Sequence, residues 1–461
     1  MLEKGQIKEV EIIDLNYTGK GVAKIDNFVV FIENAIEGDL VEIEIIEKKK
    51  NFAIGKISKI IKASKNRIEP SCEYFYDCGG CQLMHMDYNA QLVYKKNRVI
   101  SEFKRASVNM EKLSVNDTIG MENPFKYRNK TAFSVAKIKN QVAIGPYEDG
   151  TYSTVDIMGC MIQSEEANKA VRCFKKLMVK YNIESYNKKT GTGTVKHIVI
   201  RNNIQNELMF IIVTSKYDFP NKDSIVNDLK SQVKEIKTIV QNINSKNTNI
   251  VMGYRNITLF GDGTITDSIK DLTFSISPET FFQVNSQQTE KLFDTAIEYA
   301  NLNKDDICFD IYCGIGTISL MAAKYVKKVY GVEIVEQSVV NAKENAKSNH
   351  ISNVEFLYGS AEKILPELYN KSIIANVVIV DPPRKGCEKE VIDSIINMAP
   401  ERIVYVSCNP STLARDVKLL ELGGYHLVKI QPVDMFPWTY HVETVLLMEK
   451  KEVEIQDSND L

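Results

Sequence analysis

Short β-prone runs separated by turn signals fill the first sixty positions of the chain. Ile7 to Leu15, Val22 to Ile32 and Leu40 to Ile46 are rich in Val, Ile and Phe. Gly19-Lys20-Gly21 and Glu37-Gly38-Asp39 punctuate them. Several strands in so short a span predict a small OB-like β-barrel over residues 1–62. The period then lengthens. Leu92, Val93, Val99, Ile100 and Phe103 recur at helical spacing between Tyr88 and Ala106, with Lys95, Lys96, Arg98, Lys104 and Arg105 on other faces. A second helical pattern covers Asn168 to Tyr181. Elsewhere residues 124–270 read mostly as strands, among them Thr131 to Ala136, His197 to Arg201, Leu208 to Thr214 and Ile257 to Phe260. From 271 to 449 strands and helices alternate, which predicts a doubly wound parallel sheet. The expectation is a multidomain α/β protein with three parts. A barrel (1–62) is followed by a β-rich central domain (63–270), a Rossmann-like domain (271–449) and a disordered acidic tail (450–461).

Composition adds limits. Of 461 residues, 44% are apolar and 26% charged, as in ordinary globular proteins. No apolar run reaches membrane-spanning length; Ile373 to Val380 is the size of one buried strand. Residues Met1 to Glu11 alternate charged and apolar positions without the apolar stretch of a signal peptide. Nine cysteines, an odd number, argue against a disulfide framework. These features predict a cytoplasmic protein with no membrane partner. The net charge of −2 hides an asymmetry: residues 48–67 carry Lys48, Lys49, Lys50, Lys56, Lys59, Lys62, Lys65 and Arg67 with no acid. Such a stripe suits phosphates. Pro124 to Thr131 mixes aromatics with Arg128 and Lys130, a composition fit for base stacking.

Cys72, Cys78 and Cys81 stand at x5 and x2 spacing beside Gly79-Gly80, a three-point thiolate site in need of a fourth ligand. Structural zinc more often uses paired C-x2-4-C units, and three plus one suits an iron–sulfur cluster. The preferred occupant is a [4Fe-4S] cluster, with zinc the alternative. Cys160 is the expected fourth ligand, ahead of Cys173 in its helical pattern. The strand Ile307 to Asp310 leads into Gly314-Ile315-Gly316, where a cofactor lies close to backbone. Ser319 breaks the dinucleotide fingerprint. Glu333 ends the next strand and is placed to accept ribose hydroxyls, which together with the glycines signals S-adenosylmethionine. Asp381-Pro382-Pro383-Arg384 ends a further strand. Cys408 follows Val404 to Ser407 and precedes Asn409-Pro410, so its thiol is expected at the carboxyl edge of the sheet, where open α/β folds bind ligands.

Five segments carry a specific resemblance. Phe281 to Asn285, Asp310 to Thr317, Asp381 to Gly386, Ser407 to Pro410 and His441 to Thr444 follow one another as in RNA uracil-5 methyltransferases. Tyr17 to Lys24, Val30 to Ile32 and Gly38-Asp39 resemble a TRAM domain. With barrel and cysteines, the chain resembles the 23S rRNA (uracil-5-)-methyltransferase branch; tRNA relatives share the motifs but generally lack both additions. The resemblance implies Cys408 as nucleophile toward uracil C6 and Glu443 as the base removing the C5 proton. It implies cofactor contacts from Gln283, Tyr312, Glu333 and Asp381, and a cluster on Cys72, Cys78, Cys81 and Cys160. It implies RNA as partner, 23S rRNA first, with no obligate protein partner. A tRNA substrate, or a non-catalytic RNA-binding or assembly role, is the alternative. Residues 90–122 are expected to pack on the catalytic domain.

Overall fold

The computed structural model describes residues 2–111 and 113–451, so all but the first two residues of the expected tail lie outside the described residues. The amino-terminal sheet has six strands in the spatial order Ile7–Glu11, Leu40–Lys48, Phe52–Lys62, Phe28–Ile32, Gly21–Ile25 and Asp14–Leu15. Val10, Ile12, Ala23, Val30, Ile32, Val41 and Ile43 fill its core. Two of its features escape the hydrophobic pattern. The run Val22 to Ile32 is a hairpin, because Asp26 and Asn27 both take positive φ in the turn that matches strand twist. The basic stripe is also partly a strand: Ala53 and Gly55 point inward while Lys56, Lys59 and Lys62 are exposed. Arg67 does not belong to the exposed stripe, for it forms an ion pair with fully buried Asp39 at 2.6 Å.

The central sheet is mixed, in the order Arg255–Phe260, Ile236–Ile243, Leu208–Thr214, Val195–Asn202, Lys130–Ile138 and Gln141–Gly145. Helices Glu165–Lys180 and Lys222–Gln232 cover one face through Phe174, Leu177, Ile225 and Leu229. The second helix has a weak sequence signal: only Ile225, Val226 and Leu229 are buried along it. On the opposite face Val199, Met209, Ile211 and Val240 enter the core of the carboxyl-terminal sheet. The hairpin Ile265–Ile269 and Leu272–Ile276 contributes to that same core.

The carboxyl-terminal sheet orders its seven strands Val354–Tyr358, Lys328–Glu333, Ile307–Ile311, Val377–Val380, Arg402–Ser407, Glu443–Lys450 and Tyr425–Val433. The first five are parallel, and Glu443–Lys450 runs antiparallel to both its neighbours, Arg402–Ser407 and Tyr425–Val433. Chain order reverses at Ile307–Ile311, which opens a crevice at the carboxyl ends of the strands. Helices Ser286–Ala300, Thr317–Ala323 and Glu336–Ser348 pack on one face. Ala361–Asn370, Lys389–Met398 and Pro410–Leu422 pack on the other. Helix Tyr88–Arg105 joins this second face through Val99 and Phe103, although the central sheet follows it in the chain. Val115 and Ile119 then bridge to Ile430 and Val433 on the outermost strand. Among the described residues no helix is long and apolar enough to cross a membrane.

Candidate active site

Five of the six candidate catalytic and cofactor residues lie at one edge of the carboxyl-terminal sheet, and strand direction is the reason. Tyr312, Glu333, Asp381 and Cys408 each end or follow a parallel strand. Glu443 begins an antiparallel strand, which must start where its neighbour stops. Ser407 pairs with Thr444, so Cys408 and Glu443 are the next residues on facing strands.

The turn after Ile307–Ile311 is built by left-handed residues. Tyr312, Gly314 and Gly316 have φ of 70°, 56° and 84°. A Cβ on Gly316 would come within 2.6 Å of the Phe356 ring, so only glycine fits. Glu333 is fixed by two backbone donors, Gly314 N–H at 3.0 Å to Oε2 and Val335 N–H at 2.7 Å to Oε1. Its remaining lone pairs are free to accept from a ligand. Asp310, fully buried, takes the Ser319 hydroxyl on Oδ2 at 2.6 Å, while its buried Oδ1 has no partner among the described residues. An unsatisfied buried acceptor beside a glycine turn fits a cofactor that brings a donor.

Burial and mutual repulsion govern the acids. Glu443 is 3% exposed. Burial, then the charge of Asp381, push its carboxyl up to about 8, against a smaller pull from Arg384. Asp381 is held up to about 7 by burial and by Asp310, and Asp310 itself to about 7 by burial and Glu333. Burial, Glu443 and Asp381 push the Cys408 thiol up to about 12, and Arg384 opposes them. His441 is kept neutral by burial and nearby cations, down to about 4. Added positive charge would favour the ionised forms of these acids and of the thiol.

Neighbouring groups hold the two loops together. Asn409 donates its amide to the Arg384 carbonyl at 3.0 Å and caps helix Pro410–Leu422 by accepting from Ser411 N–H. Asp416, fully buried, accepts from Cys387 N–H at 2.8 Å and from the Tyr405 hydroxyl at 2.6 Å. Cys387 itself is buried in the core against Tyr405 and Tyr312. Gln283 stands apart. It lies on the segment before helix Ser286–Ala300, where the Asn129 side chain donates to its carbonyl at 3.0 Å. Its side chain makes no hydrogen bond to the other candidates among the described residues. Sequence reasoning passed over Asp310, Arg384 and Asn409 as working residues. Their signal was position, each at the end of a parallel strand or in the loop beyond it.

The tRNA (uracil-5-)-methyltransferase family profile matches residues 87–451, and a TRAM domain matches residues 2–58. The chain belongs to the tRNA (uracil-5-)-methyltransferase family. An RNA methyltransferase of Clostridium acetobutylicum, named as uncharacterized, is 44% identical over 97% of this chain and 98% of its own. Another, from Halalkalibacterium halodurans, is 42% identical over 98% of each. The solved Pyrococcus abyssi tRNA (uracil-54, C5)-methyltransferase, in complex with S-adenosyl-L-homocysteine, superposes with a TM-score of 0.78 at 27% identity. It covers 95% of this chain and 99% of its own. As a family member the chain is an S-adenosylmethionine-dependent RNA (uracil-5-)-methyltransferase. The Pyrococcus likeness also corrects one expectation. A tRNA enzyme leaves only 5% of this chain uncovered, less than the barrel, so the barrel does not separate rRNA from tRNA enzymes.

Away from the sheet edge, this methyltransferase gathers Cys72, Cys78, Cys81 and Cys160 around one cavity of about 270 Å³, with Phe75, Met84 and Ile162. Gly80 N–H donates to Cys78 Sγ at 3.3 Å, and Asn168 clasps Cys160 by its N–H and its carbonyl. Burial pushes the Cys78 thiol up to about 11 and Cys81 further. Cys173 faces the central core instead and does not line the cavity. Among the described residues no three His, Cys, Asp or Glu side chains are grouped to hold one metal ion. A single tetrahedral zinc would draw its sulfurs to about 3.8 Å apart, from Zn–S near 2.3 Å. Four thiols lining one cavity are a donor set of the kind that holds zinc or an iron–sulfur group.

Proposed function

We propose that this family member methylates C5 of a uridine in 23S rRNA, with Cys408 as nucleophile and Glu443 as base. The observation that carries the mechanism is the meeting of a thiol and a buried carboxyl on facing strands. When bound, S-adenosylmethionine supplies an electrophilic methyl group and one positive charge. Tyr312, Glu333 and Asp381 would hold it, Glu333 through its free acceptor capacity, and Gln283 would join them by the resemblance alone. That charge, with Arg384, favours the ionised forms of Cys408 and Glu443. The Cys408 thiolate adds to C6 of the uracil, a C–S bond forms, and the ring's electron pair shifts to C5, which takes the methyl group. Glu443 then removes the C5 proton; its electron pair restores the double bond as the C–S bond breaks. The uracil must leave any stack to reach the thiol, so a flipped or single-stranded uridine is the substrate form. Cys72, Cys78, Cys81 and Cys160 would hold a [4Fe-4S] cluster, which braces a loop-rich segment.

Cys408→Ala is expected to abolish methyl transfer while cofactor affinity persists. Transcribed RNA containing 5-fluorouridine should form an adduct stable to denaturant, since no C5 proton can leave. Retained RNA binding with no such adduct would sink the mechanism. The second reading, a tRNA substrate, is favoured by the likeness to the Pyrococcus enzyme. Mapping 5-methyluridine in rRNA and tRNA from cells lacking the protein decides between them.

A further inference from the structure

Trp438 connects the four-cysteine cavity to the loop that delivers Glu443. It is the one tryptophan of the sequence, is 5% exposed, and adopts φ of 69°, uncommon for a bulky side chain. Its carbonyl accepts two N–H bonds, from Gln82 and Leu83, each at 2.9 Å. Those are the two residues that follow Cys81. Its own N–H donates to Gln91 Oε1 at 3.1 Å, and its indole N–H to the Pro124 carbonyl at 2.8 Å. The ring stacks on Phe125 at 5.0 Å and shares an apolar cluster with Cys72, Cys81 and Cys160. On either side, the Tyr127 hydroxyl donates to the Pro437 carbonyl and Arg98 donates to that of Tyr440. Residues 437–440 are thus held by segments outside the catalytic sheet. Glu443 follows three residues later.

We infer that Trp438 is a positioning residue for Glu443, and that order in the Cys81 segment reaches the proton-removal step through it. The inference rests on Glu443 being the base. Glu443 pairs with Val433 at the first rung of its strand, whereas residues 437–440 just before it take their place from the two bonds onto the Trp438 carbonyl, the left-handed turn, and the Arg98 and Tyr127 bonds. If the Cys81 segment loosens, both donors leave together and the turn can relax. A base displaced by an ångström loses roughly 100-fold in rate. Cys408 shares a strand ladder with Glu443, but the segments on either side of it, strand Arg402–Ser407 and helix Pro410–Leu422, do not pass through the Trp438 loop, so thiol addition should survive. The cysteine site would then act on one half of the reaction.

Full-length wild-type, Cys81→Ala and Trp438→Phe proteins are compared on 23S rRNA and tRNA transcripts. Covalent complex formation is read on 5-fluorouridine RNA, and release of methylated uridine RNA in a single turnover. Trp438 emission and its quenching by acrylamide report the loop directly. Cys81→Ala is expected to shift emission to the red, to increase quenching, and to slow release by roughly 10- to 100-fold with little change in complex formation. Trp438→Phe should slow release while the absorbance of the cysteine site is unchanged. Wild-type emission and release in Cys81→Ala would overturn the inference, as would a red shift with unaltered release. Should Cys81→Ala fail to fold, an unaltered balance of addition and release in Trp438→Phe overturns it. Absence of the fluorouridine complex in wild type itself would mean that the underlying mechanism has failed, a separate result.

Discussion

As the proposed base, Glu443 faces two demands at once: it lies buried, and it must be ionised to take a proton. Burial and Asp381 hold its carboxyl up to about 8, so in the cofactor-free protein the base form appears only as pH rises through that value. Turnover limited by proton removal should therefore rise with pH and level off, at or below about 8 once bound cofactor adds its charge. A release rate flat from mildly acidic to alkaline pH would exclude Glu443 as the base. Linkage gives a second outcome. The folded protein keeps a proton that the unfolded chain releases near 4.5. Its contribution to stability is full below the unfolded value and is lost as pH rises through about 8. Glu443→Gln cannot ionise, so above that pH it should exceed wild type by on the order of 5 kcal/mol in urea unfolding without cofactor. An equal difference at pH values on both sides of the transition would refute this. The same variant should accumulate methylated RNA bound covalently through Cys408.

Candidate residues stood out in the sequence where their neighbours marked them. Cys408 stood between a strand and Asn-Pro, and Glu443 lay in His-Val-Glu-Thr. Asp310 and Arg384 did not stand out, because their importance comes from charge coupling across four strands. At the scale of elements the loop between the last two strands shows the same limit. Nothing in Asp434 to His441 announces that Lys95, on a helix some 340 residues earlier, forms a fully buried ion pair with Asp434 at 2.5 Å. Tyr88 donates to the other carboxylate oxygen at 2.9 Å, and Phe436 N–H donates to the first at 3.2 Å. Helix periodicity placed Lys95 on a polar face, and the fold turned that face inward. Removing one partner strands the other's charge. Lys95→Met should therefore cost about 3–5 kcal/mol in chemical unfolding, whereas an exposed helix lysine such as Lys104 should cost little when changed to Met. Similar losses for both would mean that Asp434 finds another cation or takes up a proton.

Across the whole molecule, one sheet edge must meet an RNA much larger than itself, and the barrel supplies charge rather than chemistry. Its acids and bases are segregated along the chain, and the fold keeps the segregation: Lys48, Lys49, Lys50, Lys56, Lys59, Lys62 and Lys65 remain exposed, while Arg67 is spent on Asp39. The sequence showed the stripe but not this split, since only packing reveals which cation faces inward. Lys49 pairs with Glu47 at the surface, an ion pair easily exchanged for a phosphate. Cations that neutralise phosphates release counterions, so affinity should fall linearly with the logarithm of salt concentration. Replacing Lys56, Lys59 and Lys62 together by Ala should reduce that slope by about 2, at roughly 0.7 for each phosphate no longer neutralised. Addition of Cys408 to fluorouridine at saturating RNA should proceed as in wild type, because the barrel strand lies outside the catalytic pocket. A slope unchanged by the triple replacement would mean that the RNA approaches over another surface. A slope reduced together with slower addition at saturation would mean that the barrel also orients the target uridine.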